Sequence, residues 1–141
     1  MKFIKILVIS VAVLLAGCNA TMQERVLDTG DQSQMQKRSY QSRVFDTNDR
    51  EKVLRGVIST LQDLSFVIER ADMTLGSVSG TKIDKGLPVR ITISVRSKGE
   101  TQVSVRANAQ FQMKPIEDPM PYQDLFSSLE KSLFLTAQLG E

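Results

Sequence analysis

Val89-Arg90-Ile91-Thr92-Ile93-Ser94-Val95-Arg96, answered after a Lys98-Gly99 turn by Val103-Ser104-Val105-Arg106-Ala107-Asn108-Ala109-Gln110-Phe111, is the stretch that decides the fold. Apolar and polar residues alternate without a break, which is the period of an extended chain wet on one side and buried on the other. Val89, Ile91, Ile93 and Val95 share the dry side of the first run, with Arg90, Thr92, Ser94 and Arg96 opposite. In the second run Val103, Val105, Ala107, Ala109, Phe111 and Met113 alternate with Gln102, Ser104, Arg106, Asn108, Gln110, Gln112 and Lys114. A short glycine-containing turn makes the pair an antiparallel hairpin.

Upstream, Gly86 and Pro88 mark a turn, and Leu75 to Ile83 is a weaker strand relieved by Gly76 and Gly80. Glu69 to Thr74 is polar and reads as a bend, before which Phe66-Val67-Ile68 is extended. Further back, Val53, Leu54, Val57, Ile58, Leu61 and Leu64 recur at helical spacing, with Arg50, Lys52, Arg55, Gln62 and Asp63 off the stripe. Asp46-Thr47-Asn48-Asp49 supplies caps for this helix, and Asn48 with Glu51 has capping-box spacing. Ser39 to Phe45 reads as an extended segment, with Tyr40, Ser42 and Val44 on one side and Gln41, Arg43 and Phe45 on the other.

Downstream, Pro115 to Pro121 is a stiff linker, and Pro121 can open a closing helix. Tyr122, Leu125, Phe126, Leu129, Leu133 and Ala137 form its core stripe, which Phe134 and Leu135 broaden towards a second buried side. The expected architecture is α+β: a two-layer sandwich of element order β-α-β-β-β-α, its antiparallel sheet covered on one face by two helices.

The beginning of the chain carries a different signal. A basic start (Lys2, Lys5) precedes an apolar run from Ile6 to Leu15, which is too short to cross roughly 30 Å of hydrocarbon. It ends in Leu15-Ala16-Gly17-Cys18, which resembles the lipobox of bacterial lipoproteins. Met1 to Gly17 is then a secretory leader, cut between Gly17 and Cys18. The Cys18 thiol takes a diacylglyceryl group and its freed amine an acyl chain, a set that anchors durably to a bilayer. Asn19, in place of an aspartate, points to the outer membrane. Residues 18–37 are rich in Gln, Asp, Thr and Met, with little periodicity, and read as a lipidated tether. A single domain, 38–141, remains.

Composition narrows the function. The chain has 18 Lys+Arg and 16 Asp+Glu. Both excess lysines are in the leader, so the mature part is formally neutral and its basicity offers no argument for nucleic acid. Cys18 is the sole cysteine and there is no histidine. That leaves neither a thiolate metal site nor a histidine-based triad. Ser127, Ser128 and Ser132 beside Lys131 lie on an ordinary helix with no glycine elbow, and Asp72 and Asp84 fall in loops. No catalytic residue, metal site or cofactor is expected.

The informative surface is the wet face of the sheet. Arg90, Arg96 and Arg106 stand there with Asn108 and Gln110, in a segment whose charges are Arg90, Arg96, Lys98, Arg106 and Lys114 against Glu100. Arginine forks on a polar platform suit docking of a partner protein, a peptide or an anionic glycan. Arg38, Tyr40 and Arg43 form a second candidate patch, which can equally serve to fix the first strand to the fold.

Arg38-Ser39-Tyr40-Gln41-Ser42-Arg43-Val44-Phe45-Asp46-Thr47, with Leu61-Gln62-Asp63-Leu64-Ser65-Phe66 and the closing Tyr122-Gln123-Asp124-Leu125-Phe126, resembles a family of small uncharacterised proteobacterial outer-membrane lipoproteins. Leu-Gly-Phe is the pattern the resemblance implies at Leu64-Ser65-Phe66, so Ser65 replaces the glycine expected to stop the helix. The element order is similar, more loosely, to helix-grip domains of the barrel-assembly lipoprotein. Neither likeness supplies a catalytic residue. The expected function is a non-enzymatic, lipid-anchored envelope lipoprotein that docks an envelope protein partner. The competing expectation is a carrier for a small apolar or amphipathic ligand held under Leu129, Leu133, Ile91 and Val105.

Overall fold

A computed structural model describes residues 30–139, with side chains from 34 to 135. The leader, Gly17 and the lipidation residue Cys18 lie outside the described residues. Two compact units divide the chain, Met1–Met35 and Gln36–Glu141, and the second holds the sheet. In order, the elements are α1 (Gly30–Gln41), β1 (Ser42–Phe45), α2 (Arg50–Asp63), β2 (Val67–Asp72), β3 (Ser77–Asp84), β4 (Leu87–Lys98), β5 (Gln102–Phe111), β6 (Lys114–Pro115) and α3 (Met120–Leu139). The protein is α+β. Its six-stranded antiparallel sheet runs β1-β5-β4-β3-β2, and β6 also pairs with β5.

The β4–β5 hairpin forms as the alternation dictates, in a register that sets Val95 opposite Val105, Ile93 opposite Ala107 and Ile91 opposite Ala109. These residues join Val53, Leu54, Val57 and Leu61 of α2 and Tyr122, Leu125, Phe126 and Leu129 of α3 in one hydrophobic core. At Gly56 the helices approach closely, since a Cβ there would lie 2.8 Å from Leu133 Cδ2. Helix α2 starts at Asp49, whose carboxylate accepts from the Lys52 N–H at 2.8 Å. Of the candidate caps 46–49 it is Asp49 that serves, not Asn48 of the capping-box spacing, and Thr47 Oγ1 accepts from the Asp49 N–H at 3.2 Å.

Six differences from the sequence reading have local causes. Residues 30–37 of the expected tether and 39–41 of the expected extended segment give way to α1, which runs to Gln41, while 18–29 lie outside the described residues and 42–45 are extended as β1. Helix α1 has no apolar stripe to announce it, and Ser39 Oγ bonds back to the Gln36 carbonyl at 2.6 Å. A fourth long strand also enters the order. Glu69–Thr74 is no simple bend, because β2 continues to Asp72 past a register shift between Ile68 and Arg70. That bulge breaks the alternation by which the strand would have been seen. At the other end, Gln112 adopts φ 57° and turns the chain back into β6, leaving Met113 89% exposed where the alternation would bury it. Phe134 and Leu135 are likewise exposed, so α3 buries one side only over that stretch. Finally, α2 does end in a left-handed stop despite lacking glycine. Ser65 has φ 65°, its N–H donates to the Gln62 carbonyl at 2.9 Å, and the Phe66 N–H donates to Leu61 at 2.8 Å. That pair of bonds is a Schellman motif built on a serine.

Candidate functional site: the open sheet face and its surroundings

The hairpin register brings the predicted polar residues together. Arg90 stands opposite Gln110, Thr92 opposite Asn108, Ser94 opposite Arg106 and Arg96 opposite Ser104. Arg90, Arg96, Arg106, Asn108 and Gln110 are all exposed. Arg96 and Arg106 are diagonal neighbours, about 7–8 Å apart at their backbones. Arg90 lies about 20 Å from Arg96 along the strand. Strand β3 extends the face with Thr81 beside Arg90, Ser79 beside Thr92 and Ser77 beside Ser94. Strand β2 adds Arg70 beside Ser79 and Asp72 beside Ser77. Rows of small hydroxyls are thus flanked by guanidinium groups whose planar donors match carboxylates.

Sequence reasoning missed Arg70 because the bulge hid β2, and it left the Ser77–Ser79–Thr81 row out of the face although Leu75–Ile83 reads as a strand. The signal was present in Ser77, Ser79 and Thr81, which alternate with Val78, Gly80 and Lys82. Arg70 reaches Asp72 at 3.7 Å. The Asp72 carboxylate also accepts from the Leu75 N–H at 2.8 Å, which shapes the β2–β3 turn. Asp72 lies beside Ser77 at the start of β3 and Asp84 lies at its end, so these two acids do not converge.

Of the second patch, Tyr40 and Arg43 are spent on the fold, and Arg38 is not. Arg43 pairs with Val105, which directs it to the helix-covered side. There its guanidinium donates to Glu130 at 2.9 Å and lies 5.4 Å from the Phe126 ring centroid. Tyr40 packs on Tyr122 with centroids 5.4 Å apart, and burial pushes its pKa up, with the neighbouring Tyr122 adding to the effect. Arg38 is exposed in the last turn of α1. Lys37, one residue before it, bonds to Glu117 at 2.5 Å, and that hydrogen bond raises the lysine pKa. Residues 37–43 therefore clamp the start of the domain to α3 and the segment before it.

Tyr122 is the centre of that clamp. Strand β1 covers β5 from Val103 to Arg106, and β6 covers Gln110 and Phe111. The Tyr122 hydroxyl stands in the gap between them, accepting from the Ala109 N–H at 3.2 Å and donating to the Ile116 carbonyl at 2.9 Å. Gln41 Nε2 donates to the same oxygen at 3.4 Å.

Of the four residues named for a carried ligand, Leu129 and Val105 are sealed at 1% and 0% exposed, Leu133 is partly buried, and Ile91 borders an open space. That space is a cavity of about 270 Å³ between the end of α2, the start of α3 and the Val89–Ala109 end of the sheet, so it reaches Ile91 but not Leu129, Leu133 or Val105. No protein-family model and no curated protein matches this chain.

Proposed function

We propose that this chain is a lipid-anchored envelope lipoprotein of the small proteobacterial family it resembles, held by Cys18 at the periplasmic side of the outer membrane. Its domain is a non-enzymatic docking module. Helices α2 and α3 cover one face of the sheet, and the other face meets an envelope protein partner. The observation that carries the docking reading is the exposed row of Arg90, Arg96 and Arg106 among serine and threonine hydroxyls. Placing this many desolvation-prone guanidinium groups on one face suits a partner with carboxylates or backbone carbonyls, which accept charge-assisted bonds. A net-neutral mature chain and the absence of aromatic side chains from these rows speak against nucleic acid, which is gripped through phosphates and stacked bases.

Two measurements test the two halves. Labelled palmitate should enter the wild type and not Cys18→Ser, and equal labelling of both would remove the anchor. For docking, a photo-crosslinking residue at Asn108 should trap an envelope protein in living cells, whereas the same probe at Ser59 on α2 should not. Loss of the Asn108 adduct in Arg90→Ala/Arg96→Ala/Arg106→Ala is expected. An adduct that survives those three changes, or one equally strong from Ser59, would overturn the assignment of the face.

A further inference from the structure

The core is tight at one end of the sandwich and loose at the other. Along β4 the exposure falls from Val89 (6%) and Ile91 (5%) to Ile93 (1%) and Val95 (0%). Ala109 of β5 is 8% exposed, whereas Ala107, Val105 and Val103 are at 0%. The loose end surrounds the cavity of about 270 Å³, walled by Leu64, Phe66, Val89, Ile91, Ala109 and Leu125. Lys82, Asp84 and Asp124 line it too, and the two aspartates are exposed, which places charge at the mouth of an apolar recess.

From this geometry we infer a binding site for a small amphipath with a short apolar chain and a cationic head. The volume lies just under the roughly 300–1,000 Å³ of sites that take drug-sized ligands, so the apolar part is short. The head follows from the rim. Lys82 Nζ lies 4.7 Å from the centroid of the Phe66 ring, over its electron-rich face. No ion pair within 4.0 Å joins Lys82 to Asp84 or Asp124 among the described residues. Lys82 is thus turned onto Phe66 instead of neutralising either acid by a close ion pair, and two exposed carboxylates are left to receive a cation that brings its chain into the recess. A larger groove, about 530 Å³, runs beside Glu51, Arg55 and Ser59. It is a poorer site, since all three are exposed and Arg55 already pairs with Glu51 at 2.5 Å. The cavity is separate from the sheet face assigned to docking, because Lys82 and Val89 point to the opposite side from Thr81 and Arg90. The two readings stand or fall independently.

Methyl NMR of the full chain, titrated with hexylammonium, hexanoate and 1-hexanol, tests the site. Hexylammonium should shift the methyls of Leu64, Ile91, Ala109 and Leu125 and bind at least fivefold tighter than hexanoate. Asp84→Asn/Asp124→Asn, at exposed positions that leave the core intact, should erase that preference while keeping binding of hexanol. Ala109→Leu, which fills the recess, should weaken all three probes by tenfold or more. Absence of shifts at these methyls, equal affinity for hexylammonium and hexanoate, or a preference that survives the double Asn change would each overturn the proposal.

Discussion

The Val95–Val103 end and the Val89–Ala109 end of the same hairpin have equally regular alternation, yet one is sealed and the other gapes. The difference lies in what each end meets. At the closed end, the β2–β3 turn folds over the strand: the Val95 N–H donates to the Gly76 carbonyl at 2.7 Å. Arg50, at the start of α2, donates to the Met73 and Thr74 carbonyls at 2.8 and 2.7 Å. At the other end α2 stops at Asp63 and α3 begins at Met120, so the sheet extends past the regular turns that would cover it. Side-chain alternation decides which face goes dry. Where the helices begin and end decides how well it is sealed.

The largest expected effect is at the closed end. Gly76 has φ 69°, and a Cβ there would sit 2.4 Å from the Val95 carbonyl oxygen and 2.8 Å from Arg50 Nη2. Gly76→Ala combines a left-handed backbone with a clash that only backbone movement can relieve, and should cost about 3–4 kcal/mol in urea unfolding. A loss under about 1 kcal/mol would mean that the turn re-forms freely and does not seal that end.

A matched pair sharpens the contrast. Val95→Ala leaves a hole among side chains that have no water near them and should cost roughly 2–3 kcal/mol. Val89→Ala removes the same two methyl groups where a cavity already exists, and should cost about 1 kcal/mol. Equal losses would contradict the packing gradient. Between the ends, Tyr122→Phe keeps the ring and removes the oxygen shared by Ala109, Ile116 and Gln41. A cost of roughly 1–2 kcal/mol is expected, with faster amide exchange at Ala109 as the local readout. Unchanged exchange there would show that water replaces the hydroxyl without loss.

Much of this was legible beforehand, and the failures share a cause. The strands β4 and β5 and the stripes of α2 and α3 are written in side-chain periodicity, which records burial. What periodicity does not record is backbone geometry. The bulge after Ile68 displaced β2 from its pattern, and the left-handed turn at Gln112 ended β5 two residues before the alternation did. Among its described side chains, helix α1 buries only Gln41 fully, and its sequence has no apolar stripe to read. Arg90, Arg96 and Arg106 were placed on a common face by parity alone. Arg43 has the same parity signal within its strand, but its fate depended on which side of β1 met the helices, a fact of strand pairing. The cavity could not be read at all, since it arises from where two helices stop.

Ser65 is where the smallest effect is expected, and its sign is the informative part. It stands at the gaping end, between the last residue of α2 and Phe66 of the cavity wall, in a conformation that costs an L-residue about 1–2 kcal/mol. Ser65→Gly removes that strain but adds freedom to the unfolded chain, which offsets about 0.4–1 kcal/mol. A net gain of roughly 0.5–1 kcal/mol is therefore expected, read as a higher urea midpoint with unchanged slope. Ser65 is exposed, and its N–H rather than its hydroxyl holds the Gln62 carbonyl, so glycine gives up no bond of the Schellman pair. Neutrality or a loss would mean that the serine side chain contributes as much as its backbone strain costs. If the gain appears and hexylammonium still binds as to the wild type, the strained stop is a matter of helix termination alone. Weaker binding in the stabilised variant would instead tie the serine to the position of Phe66, and so to the looseness of that end.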